Sequence, residues 1–421
     1  MAFPRPYLAK LLLFSMPSKS FLSLLLVLSF QFIFENKLFA ANAIPIQIGE
    51  WYLEPTIDIT FGNSRSEFGD QDSRVDRQTM QDNFLQIQPK LRLYNKNKYR
   101  EIAFIYEADS IDFQDNPLND SVSSYLSGKY KRSLSNKSDI SFQLAYEDGS
   151  QTQGVRSQIQ AVSPLIEDRP IEFEERQAVL KYEFYGEQRA GHNFSVSLER
   201  EERTFQSPEV FSQGRDIEAN SLDVKWRYLW SEGNGVFINA RHTDNNFSKE
   251  NQLFGQELDN DQTQLLLGIE WRARKNISGE FSAGIVKKTF DNIDLDVEVP
   301  TFYGKIEFYP TRLDTFRLQG QSKPIEQAGI GAFQDYTDVG LSWLRRMSPR
   351  WSMEASVQAG KVDYNSSPME GRFYDYDVQF EYRVNRVADL IFGFRYYNDD
   401  SNQNEFDYNG SNFFITYSTG L

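Results

Sequence analysis

The sequence predicts an all-β fold: a transmembrane antiparallel up-and-down β-barrel of about 18 strands, within a range of about 16 to 20, with short periplasmic turns and longer extracellular loops. Three observations predict it. Apolar and polar residues alternate with period two in run after run, and no run shows a helical period of 3.6. Short and long polar connections alternate between the runs. All six tryptophans, Trp51, Trp226, Trp230, Trp271, Trp343 and Trp351, fall close to the short-turn ends of their runs, on the parity of the apolar face. An aromatic belt at one membrane interface produces that placement.

Residues 1–43 read as a secretion signal. Arg5, Lys10 and Lys19 precede an apolar run, Phe21–Phe34, and Ala41-Asn42-Ala43 fits a small-x-small cleavage site. The run is short against the roughly 20 residues that a membrane helix needs. The expected mature chain, residues 44–421, is one barrel domain. Removing the leader takes away four Lys/Arg and one Asp/Glu, which leaves 41 basic and 59 acidic residues and a net charge of −18. That balance argues against a nucleic-acid partner. There is no cysteine, so an exported chain of this kind has no disulfide framework.

The runs can be taken in order. The first is Trp51–Phe61, with Leu53, Ile57, Ile59 and Phe61 on one face and Glu54, Asp58 and Thr60 on the other. After a polar loop comes Asn83–Tyr94, with Ile87, Leu91 and Leu93 opposed by Gln86, Gln88, Lys90 and Arg92. A tight turn leads into Tyr99–Ser110. Val122–Leu134, Asp139–Glu147, Arg176–Tyr185, Asn193–Phe205, Ser221–Trp230 and Val236–Asn246 follow. Four runs occupy Thr263–Lys323, and the last five are Tyr336–Arg346, Arg350–Val362, Phe373–Val384, Ala388–Asn398 and Ser411–Leu421. The count is even, so both ends of the wall meet on the short-turn side. Two places depart from the pattern. Ile293, Leu295, Val297 and Val299 alternate with Asp294, Asp296 and Glu298, but parity changes across Pro300, which predicts a bulge there. The longest loop, Asp148–Glu175, carries an apolar centre at Ala161–Ile166; it either folds back against the wall or into the pore, or forms a local patch outside the membrane.

Within Thr263–Lys323, the segments LGIEW-RARKNISGEFSAGIVKKTF and FYPTRLDTFRLQGQSK resemble the outer-membrane barrel family called beta-barrel porin 2. The resemblance is specific over roughly 60 residues and extends to the flanking hairpins by pattern. It implies an outer-membrane pore associated with exopolysaccharide or capsule export, with a polysaccharide and a periplasmic export apparatus as partners.

The faces opposite the apolar ones supply the pore-lining candidates: Lys90, Arg92, Glu101, Tyr125, Lys129, Lys181, Glu183, Lys225, Arg227, Glu270, Arg272, Tyr303, Lys305, Arg317 and Tyr336. Neither sign dominates, whereas a strongly ion-selective pore carries a ring of one sign. Tyr125, Tyr303 and Tyr336 could stack on sugar rings, or simply pack in the lumen. Only His192 and His242 could serve as an imidazole base, and both read as surface residues, so no catalytic set is expected. Two histidines and no cysteine leave little for a transition metal, and no cofactor is expected. Asp294, Asp296 and Glu298, with Asp399, Asp400, Glu405 and Asp407, offer oxygen ligands of the kind calcium or lipopolysaccharide-bridging cations take, but read as solvated acidic loops. The expectation is therefore a non-enzymatic pore in the bacterial outer membrane, in contact with lipid and lipopolysaccharide. It exports a polysaccharide or, alternatively, admits small polar solutes.

Overall fold

The structure is a computed structural model. It describes residues 44–68, 78–151, 171–186, 190–206, 216–248, 257–273, 276–326, 332–365, 369–402 and 407–420. The expected leader, the loop centre Ala161–Ile166 and Glu405 lie outside the described residues.

The strands are β1 (Ile46–Ile48), β2 (Trp51–Phe68), β3 (Gln78–Lys96), β4 (Arg100–Phe113), β5 (Ser121–Ser135), β6 (Ser138–Gln151), β7 (Ile171–Phe184), β8 (Gly191–Phe205), β9 (Ile217–Ser231) and β10 (Asn234–Phe247). They continue as β11 (Asn260–Ala273), β12 (Ile277–Phe290), β13 (Asp296–Phe308), β14 (Asp314–Glu326), β15 (Phe333–Arg346), β16 (Trp351–Tyr364), β17 (Glu370–Arg383), β18 (Ala388–Ser401) and β19 (Tyr408–Gly420). Each of β2–β19 pairs antiparallel with its sequence neighbours. β19 pairs back onto β2 from Gly420↔Thr56 to Tyr408↔Phe68, so 18 strands close into a barrel. Closure satisfies every strand edge, which hydrocarbon demands of a spanning sheet. At that strand number a barrel leaves an aqueous channel unless something folds into it.

One end of the barrel has connections of two to six residues and the other of five to nineteen. Of the two connections with two residues among β2–β19, Glu232-Gly233 between β9 and β10 has the positive φ of 74° that Gly233 supplies. β1 fills the seam at the short-turn end. β19 stops pairing at Thr56, and β1 takes up the vacant edge of β2 with Ile46↔Leu53 and Ile48↔Trp51.

The registers carry one face around the whole wall. Leu198↔Leu222, Trp226↔Ile238, Ile238↔Leu267, Leu267↔Ala283, Ala283↔Phe302 and Phe413↔Phe394 all join residues of the apolar parity. These side chains are exposed on the outside; Leu267 is 60% exposed and Phe413 59%. A water-soluble protein would bury such a band, whereas lipid covers it in a membrane. Most strands are longer than the sequence runs indicated, because they continue beyond the apolar band toward the long-loop end. Asp148–Gln151 and Ile171–Glu175, expected as loop, are paired strand.

The barrel is not open throughout. β13 and β14 pair only from Phe302↔Ser322 to Phe308↔Phe316, although β13 begins at Asp296 and β14 runs on to Glu326. Two residues beyond the last pair, the continued register would set Pro300 opposite Pro324. Neither has an N–H to give the ladder, so the sheet parts there. β14 stays paired with β15 as far as Glu326↔Phe333, and this hairpin leans into the lumen. Phe333, on the outward parity of β15, stacks at 6.3 Å on Phe290, an inward residue of β12. The hairpin's outer side thus packs on the inner side of β12–β13.

The bulge expected at Pro300 is absent. β12 and β13 pair continuously through Ile285↔Pro300, with no shift of register. Val297 and Val299 keep inward parity and belong to a cluster with Phe247, Leu258, Phe290, Ala332 and Phe333. The change of apolar parity in the sequence marks the switch from a wall covered outside by lipid to a wall covered inside by the hairpin.

Candidate functional site

The lumen wall begins with charge. All fifteen pore-lining candidates have the parity opposite to the exposed apolar band. Ion pairs run mostly between strands: Arg92 with Glu54 at 3.3 Å, Lys96 with Glu101 at 3.2 Å, Arg227 with Glu270 at 3.1 Å, and Lys305 and Arg317 both with Glu307 at 3.2 Å. Lys90 pairs with Glu107, and Lys181 with Glu183 at 2.7 Å. Lys225 reaches Glu280 at 3.5 Å and lies 3.9 Å over the Phe237 ring. Arg272 sits at the short-turn end, 3.7 Å from Glu232. These contacts brace neighbouring strands, so the lower wall presents cross-linked dipoles rather than rows of one sign. In the turn beyond β13, Tyr309 donates to Glu307 at 2.6 Å. Burial and that carboxylate push its hydroxyl up to about 12.

Aromatic rings lie flat on the inner wall where a facing glycine leaves room. Phe237 covers Gly268, and Phe373 covers Gly360; a Cβ on either glycine would collide with the ring. Phe373 in turn stacks on Tyr336 at 5.4 Å. Of the two expectations for Tyr336, a face open to sugars or packing within the lumen, the structure shows packing: it is 2% exposed, enclosed with Val362, Tyr364, Met369 and Phe373. It packs the leaning strand ends and cannot stack on a passing sugar. Tyr125 and Tyr303 keep inward parity and are partly open.

A cavity lies where the leaning hairpin faces β8–β12. There Lys323, Pro324 and Ile325 share a cavity of about 410 Å³ with inward residues of the opposite wall. Two arginines hold that wall. Arg203 binds Glu175 through Nε at 2.9 Å and Nη2 at 2.6 Å, and Glu201 at 3.3 Å. Arg241 binds Glu199 at 2.9 Å and Ser221 at 3.1 Å. Gln177 occupies the other oxygen of Glu199 at 2.6 Å. Nearer the long-loop end the lining turns apolar with Phe205, Ile217 and Phe247. None of these residues is among the pore-lining candidates, because the alternation within Asn193–Phe205 does not tell what faces it across the lumen. The available signals were the parity change at Val299 and the two prolines, Pro300 and Pro324.

The six tryptophans share outward parity near the short-turn end. Trp343 stacks on Phe316 at 6.0 Å and Trp51 on Phe104 at 6.2 Å, and Trp351 packs at a tilt against Tyr382 at 4.8 Å. His192 packs against Trp226 and Tyr228. His242 touches Thr263 at 3.1 Å and Asp261 at 3.5 Å on the open outer face. That setting lacks the desolvation and the second orienting shell that activate a hydroxyl nucleophile. Among the described residues, no group of three or more His, Cys, Asp or Glu is arranged to hold a metal ion.

The family model described as "Putative beta-barrel porin 2" matches residues 41–418. The chain belongs to the beta-barrel porin 2 family. It is thus an outer-membrane β-barrel porin, and the resemblance seen over one stretch of the sequence extends along nearly the whole wall. No curated protein matches it. Among solved structures, OpdQ of Pseudomonas aeruginosa is similar at 10% identity, over 88% of this chain and 98% of that one, with a TM-score of 0.47. OpdK of the same organism is similar at 11% identity over 87% and 99%, with a TM-score of 0.49. OccAB2 of Acinetobacter baumannii is similar at 10% identity over 87% and 98%, with a TM-score of 0.48. In this beta-barrel porin 2 member, the leaning β14–β15 hairpin and the charged wall of β8–β10 share one cavity.

Proposed function

We propose that this porin is a passive channel for small polar solutes, rather than the conduit of an exported polymer. The observation that carries this reading is the β14–β15 hairpin, which occupies part of the lumen and leaves a cavity of about 410 Å³ against the opposite wall. A chain of sugars would have to displace a hairpin anchored by Phe333 on Phe290 and by Ala332 N–H donating to Asn365 O at 3.0 Å. A monosaccharide or amino acid would not. The paired charges along the wall favour hydrated polar solutes without strong selection by sign. In this reading the inward candidates other than the enclosed Tyr336 line the water path, and the outer band meets lipid and lipopolysaccharide.

The test is solute entry into liposomes containing the purified, folded chain. Monosaccharides and free amino acids are expected to enter, and oligosaccharides of more than a few units to be excluded. Passage of a long polysaccharide through the intact protein would return the polymer-export reading.

A further inference from the structure

The cavity behind the hairpin is lined by both signs of charge, but its donors and acceptors are not equally engaged. Glu199 already accepts from Arg241 and Gln177, and Glu201 from Arg203. Arg203 is held by Glu175 on two nitrogens. Lys323 differs. It projects from the hairpin into the lumen, open to solvent though ringed by wall, and among the described residues it makes no ion pair within 4 Å. The carboxylate that acts on it, Asp338, is already bonded to Gln358 at 3.1 Å. An ammonium of this kind has three donors and favours an anion over water when one is brought beside it. The polar lining, which includes Glu199, Glu201, Arg241 and Gln264, lies lower along the strands than the apolar lining of Phe205, Ile217 and Phe247 at the long-loop ends of theirs. Pockets that orient a small molecule combine a mostly apolar lining with a few placed polar groups.

We propose that this cavity is a binding subsite for small organic anions with an apolar body, in which Lys323 holds the anionic group and the Phe205–Phe247 side receives the body. The proposal rests on the small-solute reading and names a solute class for it. The position of Lys323 also gives it a role in selection. It sits on the element that narrows the lumen, so a solute held there lies in the path of others. Lys323 is a specificity residue; the engaged Arg203 and Arg241 maintain the wall it faces.

The experiment uses the full folded chain in detergent and in planar bilayers, with hexanoate, hexanol and hexylamine as matched probes. Hexanoate is expected to bind and to block ion current at concentrations at least tenfold below those of hexanol or hexylamine. Lys323→Gln is expected to remove that preference and Lys323→Arg to retain most of it, while Lys361→Gln, on the outer face of β16, leaves it unchanged. A conducting channel that treats the three probes alike, or an unaltered K323Q variant, overturns the anion subsite and leaves the small-solute channel standing. An inserted, folded chain that neither conducts nor binds hexanoate overturns both.

Discussion

At the scale of single residues, the inner wall is set by side chains that had to find partners in a narrow space. Phe373 lies over Gly360 and against Tyr336, which converts three inward positions into a small apolar core at the long-loop end. A methyl group at position 360 would meet the ring directly, and overpacking of this kind costs about 1–3 kcal/mol. Gly360→Ala is therefore expected to lower the temperature at which the folded barrel loses its compact migration on a gel. An unchanged transition would mean that Phe373 is not seated on the glycine. Tyr336 shows how much a single position can hide. Its inward parity is plain from Val339 and Leu341 on the other face, but parity cannot say whether the lumen at that height is water or protein.

At the scale of elements, the decisive feature is the parting of β13 from β14. Antiparallel strands remain joined while each offers alternate N–H groups to the other, and Pro300 and Pro324 remove two donors at one facing pair. The released hairpin then covers Val297, Val299 and Phe290, burying apolar surface that would otherwise line a wet lumen. The double variant Pro300→Val, Pro324→Val restores both donors. It is expected to let the ladder extend and to draw the hairpin toward the wall, with a severalfold larger single-channel conductance. Conductance equal to that of the natural chain would show that the apolar cluster, rather than the prolines, holds the hairpin inward. β1 acts at the opposite end, where Ile46↔Leu53 and Ile48↔Trp51 close the edge that β19 leaves open.

At the scale of the whole molecule, outward and inward faces answer to two solvents. The outward face stays apolar through the band and turns charged toward the long-loop end, at Arg65, Arg176, Arg200 and Lys361. Such a surface is covered by lipid over the band and by water at the long-loop end. Residues 1–43 are expected to be removed on export, so that the membrane-bound protein has the mass of a chain starting at Ile44. A membrane-bound protein that retains Met1–Ala43 would contradict that expectation, and mass spectrometry of the isolated barrel decides it.

The sequence by itself determined the class of fold, the count of wall strands and the parity of each face through the apolar band, though not above it at Pro300. These follow from a period of two imposed residue by residue, and from turn chemistry that acts over a few positions. It could also show that no single sign dominates the inward face, since that is a matter of composition along known parity. Only the tertiary structure decided what the lumen contains. Glu199, Glu201, Arg203, Arg241 and Lys323 are brought to one cavity by closure of the barrel and by a hairpin that parts from β13. Nothing in local periodicity encodes that meeting. An apolar residue covered by lipid and one covered by a folded-in hairpin obey the same rule of burial, and in sequence they differ only by a change of parity at Pro300.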